Sequence, residues 1–116
     1  MTATLVHPGP SCFAVATAVS PGGGVVTVRG DVDATTAPDL RSCLLAALDR
    51  PDVTDVEVDL SDVTFLDSAG LTVLVVAHQA AQRSGRALRI RCGTSRAVTR
   101  PLALTGLTTV LTVIDG

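Results

Sequence analysis

Residues 53–60 read Val53-Thr54-Asp55-Val56-Glu57-Val58-Asp59-Leu60, with Val56, Val58 and Leu60 on one side of an extended chain and Asp55, Glu57 and Asp59 on the other. A period of two marks a strand with one face buried and the other in water. A strand covered on both faces would read as a continuous apolar run, so this one belongs to a sheet shielded on a single side. Residues 86–92 repeat the pattern, setting Leu88, Ile90 and Cys92 against Arg89 and Arg91. Upstream, residues 11–19 (SCFAVATAV) and Val25 to Arg29 are strand-like runs joined through Pro21-Gly22-Gly23-Gly24, which predicts a hairpin.

The segments between and after these strands carry helical spacing. Leu40, Cys43, Leu44, Ala47 and Leu48 recur at intervals of three and four, opposite Asp39, Arg41, Ser42 and Asp49, which predicts an amphipathic helix over 37–50. Thr36 is its candidate N-cap, Pro38 suits an early position, and Pro51 stops it. A second helix is expected from Ser68 to Arg83, apolar almost all round in its first half and ended near Gly85. A third runs from Ser95 to Thr105, with Pro101 inside it, where a bend is expected, and Gly106 as its stop. A β-like piece closes the chain at Thr109 to Ile114.

The order β-β-α-β-α-β-α-β predicts an α/β fold: an N-terminal hairpin, then β-α repeats building a mostly parallel sheet with right-handed crossovers. The charged strand faces put all helices on one side. If sequential strands are neighbours, the Asp55/Glu57/Asp59 stripe lies between Arg29 and the Arg89/Arg91 stripe, giving a solvent-facing ion-pair ladder. Residues 1–10, with two prolines and little periodicity, read as a flexible arm, and 11–116 as one domain.

Composition sets outer bounds on function. The chain has 116 residues, of which 47% are apolar, with Trp 0, Tyr 0 and Phe 2. That is enough for one aliphatic core, and too few rings to stack nucleobases. The formal charge is -2, and every basic residue is Arg. No basic field exists to draw nucleic acid or an anionic membrane. The stretch richest in apolar residues, Ala69 to Ala77, includes Thr72 and falls well short of the ~20 residues of a spanning helix, and no Lys or Arg precedes Arg29, so membrane insertion and a secretory leader are not expected. Cys12, Cys43 and Cys92 are odd in number and widely spaced, which reads as reduced thiols in a cytoplasmic protein.

Ligand-binding edges of parallel sheets lie where the loops following the strands gather. Those loops are Gly30–Thr36, Ser61–Asp67 and Gly93–Thr94. Ser68 stands at the mouth of the second helix, and on the residues alone it is an N-cap satisfying a backbone N–H.

The run Asp59-Leu60-Ser61 … Phe65-Leu66-Asp67-Ser68-Ala69-Gly70-Leu71 resembles the signature of STAS domains, specifically the bacterial anti-sigma factor antagonists. Gly30-Asp31-Val32-Asp33 with its Thr-Ala-Pro, and Leu104-Thr105-Gly106-Leu107, resemble two further segments of that family, so that the likeness covers about residues 11–114. The resemblance implies a protein that binds an anti-sigma factor, itself a serine kinase of the ATPase type, and so releases a sigma factor. It implies phosphorylation of Ser68 by that kinase, dissociation of the complex, and reversal by a serine phosphatase. Asp33 and Asp67 fall on family positions beside the serine, and Gly70 permits close approach there. Thr35, Thr36, Thr64 and Leu71 complete the expected partner surface, with turn and capping roles as the plainer reading of the threonines. Two features depart from the family pattern, Pro101 and the acidity of the strand at 53–60, and neither touches the signature.

Other chemistries fit less well. A hydrolase nucleophile elbow reads G-x-S-x-G, and Leu66 stands where its first glycine belongs. His7 lies in the arm and His78 nearly three turns along the helix from Ser68, neither placed as a general base. Cys43, Cys92 and His78 lack the spacing of a metal site, Gly22–Gly24 lacks the Lys and helix of a phosphate loop, and no cofactor is implied. The remaining alternative is a STAS scaffold or transporter-associated subunit whose serine is never phosphorylated, since similar domains serve lipid-transport complexes and larger stress assemblies.

Overall fold

The computed structural model describes residues 3–8, 13–20 and 22–114; Cys12 and Pro21 lie outside them. Six strands form one sheet in simple sequential order: β1 (Ala3–Pro8), β2 (Ala14–Ser20), β3 (Gly22–Val32), β4 (Val53–Leu66), β5 (Ala87–Arg91) and β6 (Val113–Ile114). β1, β2 and β3 pair antiparallel, while β3 through β6 pair in parallel. Three helices make the crossovers: α1 (Ala37–Leu48), α2 (Ser68–Arg83) and α3 (Arg96–Thr105). A 3₁₀ turn at Leu107–Thr109 follows α3.

The predicted α/β architecture and the one-sided sheet are observed. Val26, Val28, Val56, Val58, Leu60, Leu88 and Ile90 face the same core as Leu40 and Leu44 of α1, Leu74 and Ala77 of α2, and Val98 and Leu102 of α3. The opposite face carries the charges. α2 spans the residues expected of it, and α3 runs unbroken through Pro101 to Gly106, whose left-handed φ of 74° closes it.

Three expectations are corrected. Residues 3–8, read as an arm because of Pro8 and Pro10, form β1 on the edge of the sheet, where proline is tolerated because that side needs no ladder donor. Ser61–Leu66, read as a loop, continues β4. Its alternation fails there because the pairing with β3 skips between Thr27 and Arg29 and again between Gly30 and Asp31, two of the three places where β4 bulges, the other being at Thr54 opposite Gly22 and Gly23. Each of those two skips turns two neighbours outward, first Ser61 and Asp62, then Thr64 and Phe65. The last strand shrinks to Val113–Ile114 because the 3₁₀ turn takes up Thr109.

The ladder exists, but offset and on one side. Register sets Glu57 beside Arg89 and Asp59 beside Arg91. The long guanidinium stems reach one pair back, giving Arg89–Asp55 at 3.7 Å and Arg91–Glu57 at 3.0 Å. Arg29 is set beside Asp62 by the bulge and makes no ion pair among the described residues. Asp59 accepts from the Ser61 amide at 3.0 Å and its hydroxyl at 2.5 Å.

Candidate functional site

Because β3, β4 and β5 are parallel, their carboxyl ends and the starts of α1, α2 and α3 gather at one edge. The β3–α1 loop is built around Asp33. Its Oδ1 accepts from the amides of Thr35 at 2.9 Å and Thr36 at 3.1 Å, and its carbonyl accepts from Ala37 N at 2.8 Å. Thr36 occupies the expected cap position of α1 without capping it. Its hydroxyl turns back, accepting from Asp33 N and donating to Asp31 O, both at 2.9 Å. At 3% exposure Thr36 is buried, and its hydroxyl locks the loop.

The β4–α2 junction reverses the plain reading of Ser68. Asp67 is the N-cap: its backbone is extended, and its Oδ1 accepts from Ala69 N at 2.9 Å and Gly70 N at 3.3 Å. Asp67 N donates to Val32 O at 3.2 Å, fixing the junction to β3. Ser68 becomes the first helical residue. Its side chain is exposed, and its hydroxyl has no hydrogen-bond partner among the described residues. The capping role that would have explained the hydroxyl is filled by its neighbour.

Gly70 is buried, and a Cβ there would collide with Leu66 Cδ1 and stand 2.8 Å from Val32 Cγ1. The missing side chain lets α2 settle onto the ends of β3 and β4, so its close approach is internal. Leu71 is half-buried against the core. On the exposed side, Thr64 donates to Asp31 Oδ1 at 2.7 Å across the bulge, leaving Phe65 beside it 49% exposed. Ser95 donates to Val63 O at 2.7 Å and pins the start of α3 to the same edge.

The structure thus gathers Asp33, Thr35, Thr64, Asp67 and Ser68 at one edge and withdraws Thr36 and Gly70 into the fold. Sequence reading missed Asp31 and Phe65. The available signal was Phe65 itself, one of only two aromatic residues in the chain. His78 lies ten residues along α2 from Ser68, roughly 15 Å along the axis. The thiols of Cys43 and Cys92 are free, each pushed up from its ordinary value by burial, with the charge of Asp39 adding to the effect at Cys43. No helix among the described residues is long and apolar enough to cross a membrane.

A family model described as "Mlab, STAS domain" matches residues 15–113. The anti-sigma-B factor antagonist of Staphylococcus epidermidis is 32% identical over 91 residues, covering 78% of this chain and 82% of that protein. The crystal structure of an anti-sigma factor antagonist from Mycobacterium paratuberculosis superposes with a TM-score of 0.73 at 27% identity, over 97% of this chain and 85% of that one. The unphosphorylated form of the anti-sigma factor antagonist SpoIIAA shares the fold, with a TM-score of 0.71 at 16% identity over 98% and 88% of the two chains. The phosphorylated form of SpoIIAA, from Bacillus, shares it as well, at 0.66 and 15% over 98% and 91%.

Proposed function

The chain belongs to the STAS-domain family, and we propose that within it this protein is an anti-sigma factor antagonist whose grip on its partner is released by phosphorylation of Ser68. The partner in this reading is an anti-sigma factor of the serine kinase ATPase type, acting in the cytoplasm, with a serine phosphatase resetting the switch. The observation that carries the reading is the freedom of the Ser68 hydroxyl. It is exposed at the start of a rigid helix, and Asp67 has relieved it of capping. The chemistry asks only for an accessible acceptor. Ser68 Oγ bonds to the γ-phosphorus of the nucleotide, the bond to the diphosphate leaving group breaks, and the hydroxyl proton passes to a base of the kinase.

The consequence follows from where the charge lands. A phosphoserine carries about -1.5 to -2 charges. In the free protein it sits in water and leaves the core untouched. Beneath a docked partner it would be desolvated without a counter-charge, at several kcal/mol, with Asp67 and Asp33 adding repulsion. About 4 kcal/mol is three orders of magnitude in affinity. The switch therefore acts on association, with folding nearly unaffected.

The test is capture of ATPase-type anti-sigma kinases by the wild type, Ser68→Ala and Ser68→Asp. The first two should retain such a kinase, and Ser68→Asp should lose it with an unchanged unfolding curve. Equal capture by all three, or recovery only of membrane-transporter subunits, would overturn the reading. The latter result would favour the transporter-associated subunit.

A further inference from the structure

The cap that frees the Ser68 hydroxyl also determines what a phosphate on it can bind. Two amides of the first turn, Ala69 N and Gly70 N, are already held by Asp67 Oδ1. The first turn of α2 thus offers the phosphate less than an open helix N-terminus would. The carboxylate that occupies those amides repels it as well. A dianion in this position is drawn to an uncommitted cation within reach.

One such cation stands across a groove. α1 and α2, both crossovers between parallel strands, run side by side in the same sense. Between them lies a groove of about 590 Å³, with Pro38, Arg41 and Leu45 on one wall and Ala69, Thr72 and Val76 on the other. Arg41 is the single charged residue of that lining. It is exposed and has no ion pair or hydrogen bond among the described residues. Ser68, Thr72 and Val76 fall at intervals of four, one above another on α2. Ser68 is not itself part of that lining; it stands one turn N-terminal to Thr72, just past the groove's end. Arg41 and Thr72 are each the fifth residue of their helix. Helical side chains lean toward the N-terminus, which leads the Arg41 stem back toward the end of the helix pair where Ser68 lies.

We propose that Arg41 binds the phosphate of phosphorylated Ser68 at the end of the α1–α2 groove. This assignment rests on the preceding one for its biological setting. It names the group within the chain that receives the new charge, and it withdraws the groove's one cation from any partner. The other charged groups around this edge are Asp67 at the cap of α2, Asp39 on α1, Asp31 and Asp33 before α1, Asp62 on β4, Arg29 beside it on β3 and Arg96 at the start of α3. The carboxylates raise the second pKa of the phosphate, Arg41 lowers it, and Arg29 and Arg96 are the rival cations.

Phosphoserine is installed at position 68 of the full chain during translation, and the second pKa of the phosphate is read by phosphorus NMR. Replacing Arg41 by Ala should raise that pKa by about half a unit or more, roughly a threefold change in the proton equilibrium. Arg41→Lys should recover part of the difference, since Lys keeps the charge without the fork. In 1 M salt, where screening extends over only ~3 Å, the difference should contract. An unmoved pKa in Arg41→Ala, or a shift produced only by Arg29→Ala or Arg96→Ala, overturns the proposal. Because the phosphate is introduced without a kinase, this outcome is separate from the capture experiment, and either can fail while the other stands.

Discussion

At position 67 a single carboxylate decides what its neighbour is free to do. Asp and Ser are nearly equal as N-caps, and here they are adjacent, so composition alone could not say which one caps α2. The backbone decides: Asp67 is extended with φ -105° and ψ -170°, and Ser68 already lies in the helix. Replacing Asp67 by Ala should cost about 1 kcal/mol, within the range of roughly 0.5–2 kcal/mol for lost caps, read as a lower urea midpoint with unchanged slope. An unchanged midpoint would mean that another group caps α2. Thr36 shows the same ambiguity from the other side. Its position before α1 was legible, but the direction of its hydroxyl depends on Asp31 and Asp33, whose placement comes from the end of β3.

Among the elements, those with an unbroken period were legible and those with a broken one were not. β5 and residues 55–60 of β4 keep a period of two, and α2 is a long apolar run closed off between Asp67 and Gly85. The second half of β4 was hidden by two bulges, because an inserted residue turns an alternating pattern into one that reads as a loop. β1 was hidden by the prolines near it, since an edge strand can carry residues that an inner strand cannot. The stop of α3 was legible because it rests on one backbone angle. Gly106 has φ 74°, and nothing lies within 4 Å of a Cβ placed there. Gly106→Ala therefore meets no clash, and its cost is conformational alone, about 1–2 kcal/mol. The loss should appear in the urea midpoint, with no change in the helical signal at 25 °C. A neutral result would show that the chain leaves α3 by another route.

Over the whole molecule, the composition that excludes nucleobase stacking also isolates one pH response. The chain contains no Tyr, and all nine of its basic side chains are Arg. Between about pH 8.5 and 11 the side chains that ordinarily titrate are Cys, Tyr and Lys, and here that leaves the thiols. Cys92 is 3% exposed in the core and Cys43 is half-buried on α1. Burial raises both above the ordinary 9.0, so each holds its proton in the folded chain after the unfolded chain has begun to lose it. In that window the unfolded state binds fewer protons, and stability falls as pH rises. Below pH 9 the contribution is fully present, and it is lost as pH climbs toward the raised folded values. Urea midpoints should therefore stay flat from pH 7 to 8.5 and decline above 9. The double variant Cys43→Ala/Cys92→Ala should be less stable at neutral pH, because it leaves small cavities, yet its midpoint should decline less steeply above pH 9. An equally steep decline in the variant would place the alkaline response outside these two thiols.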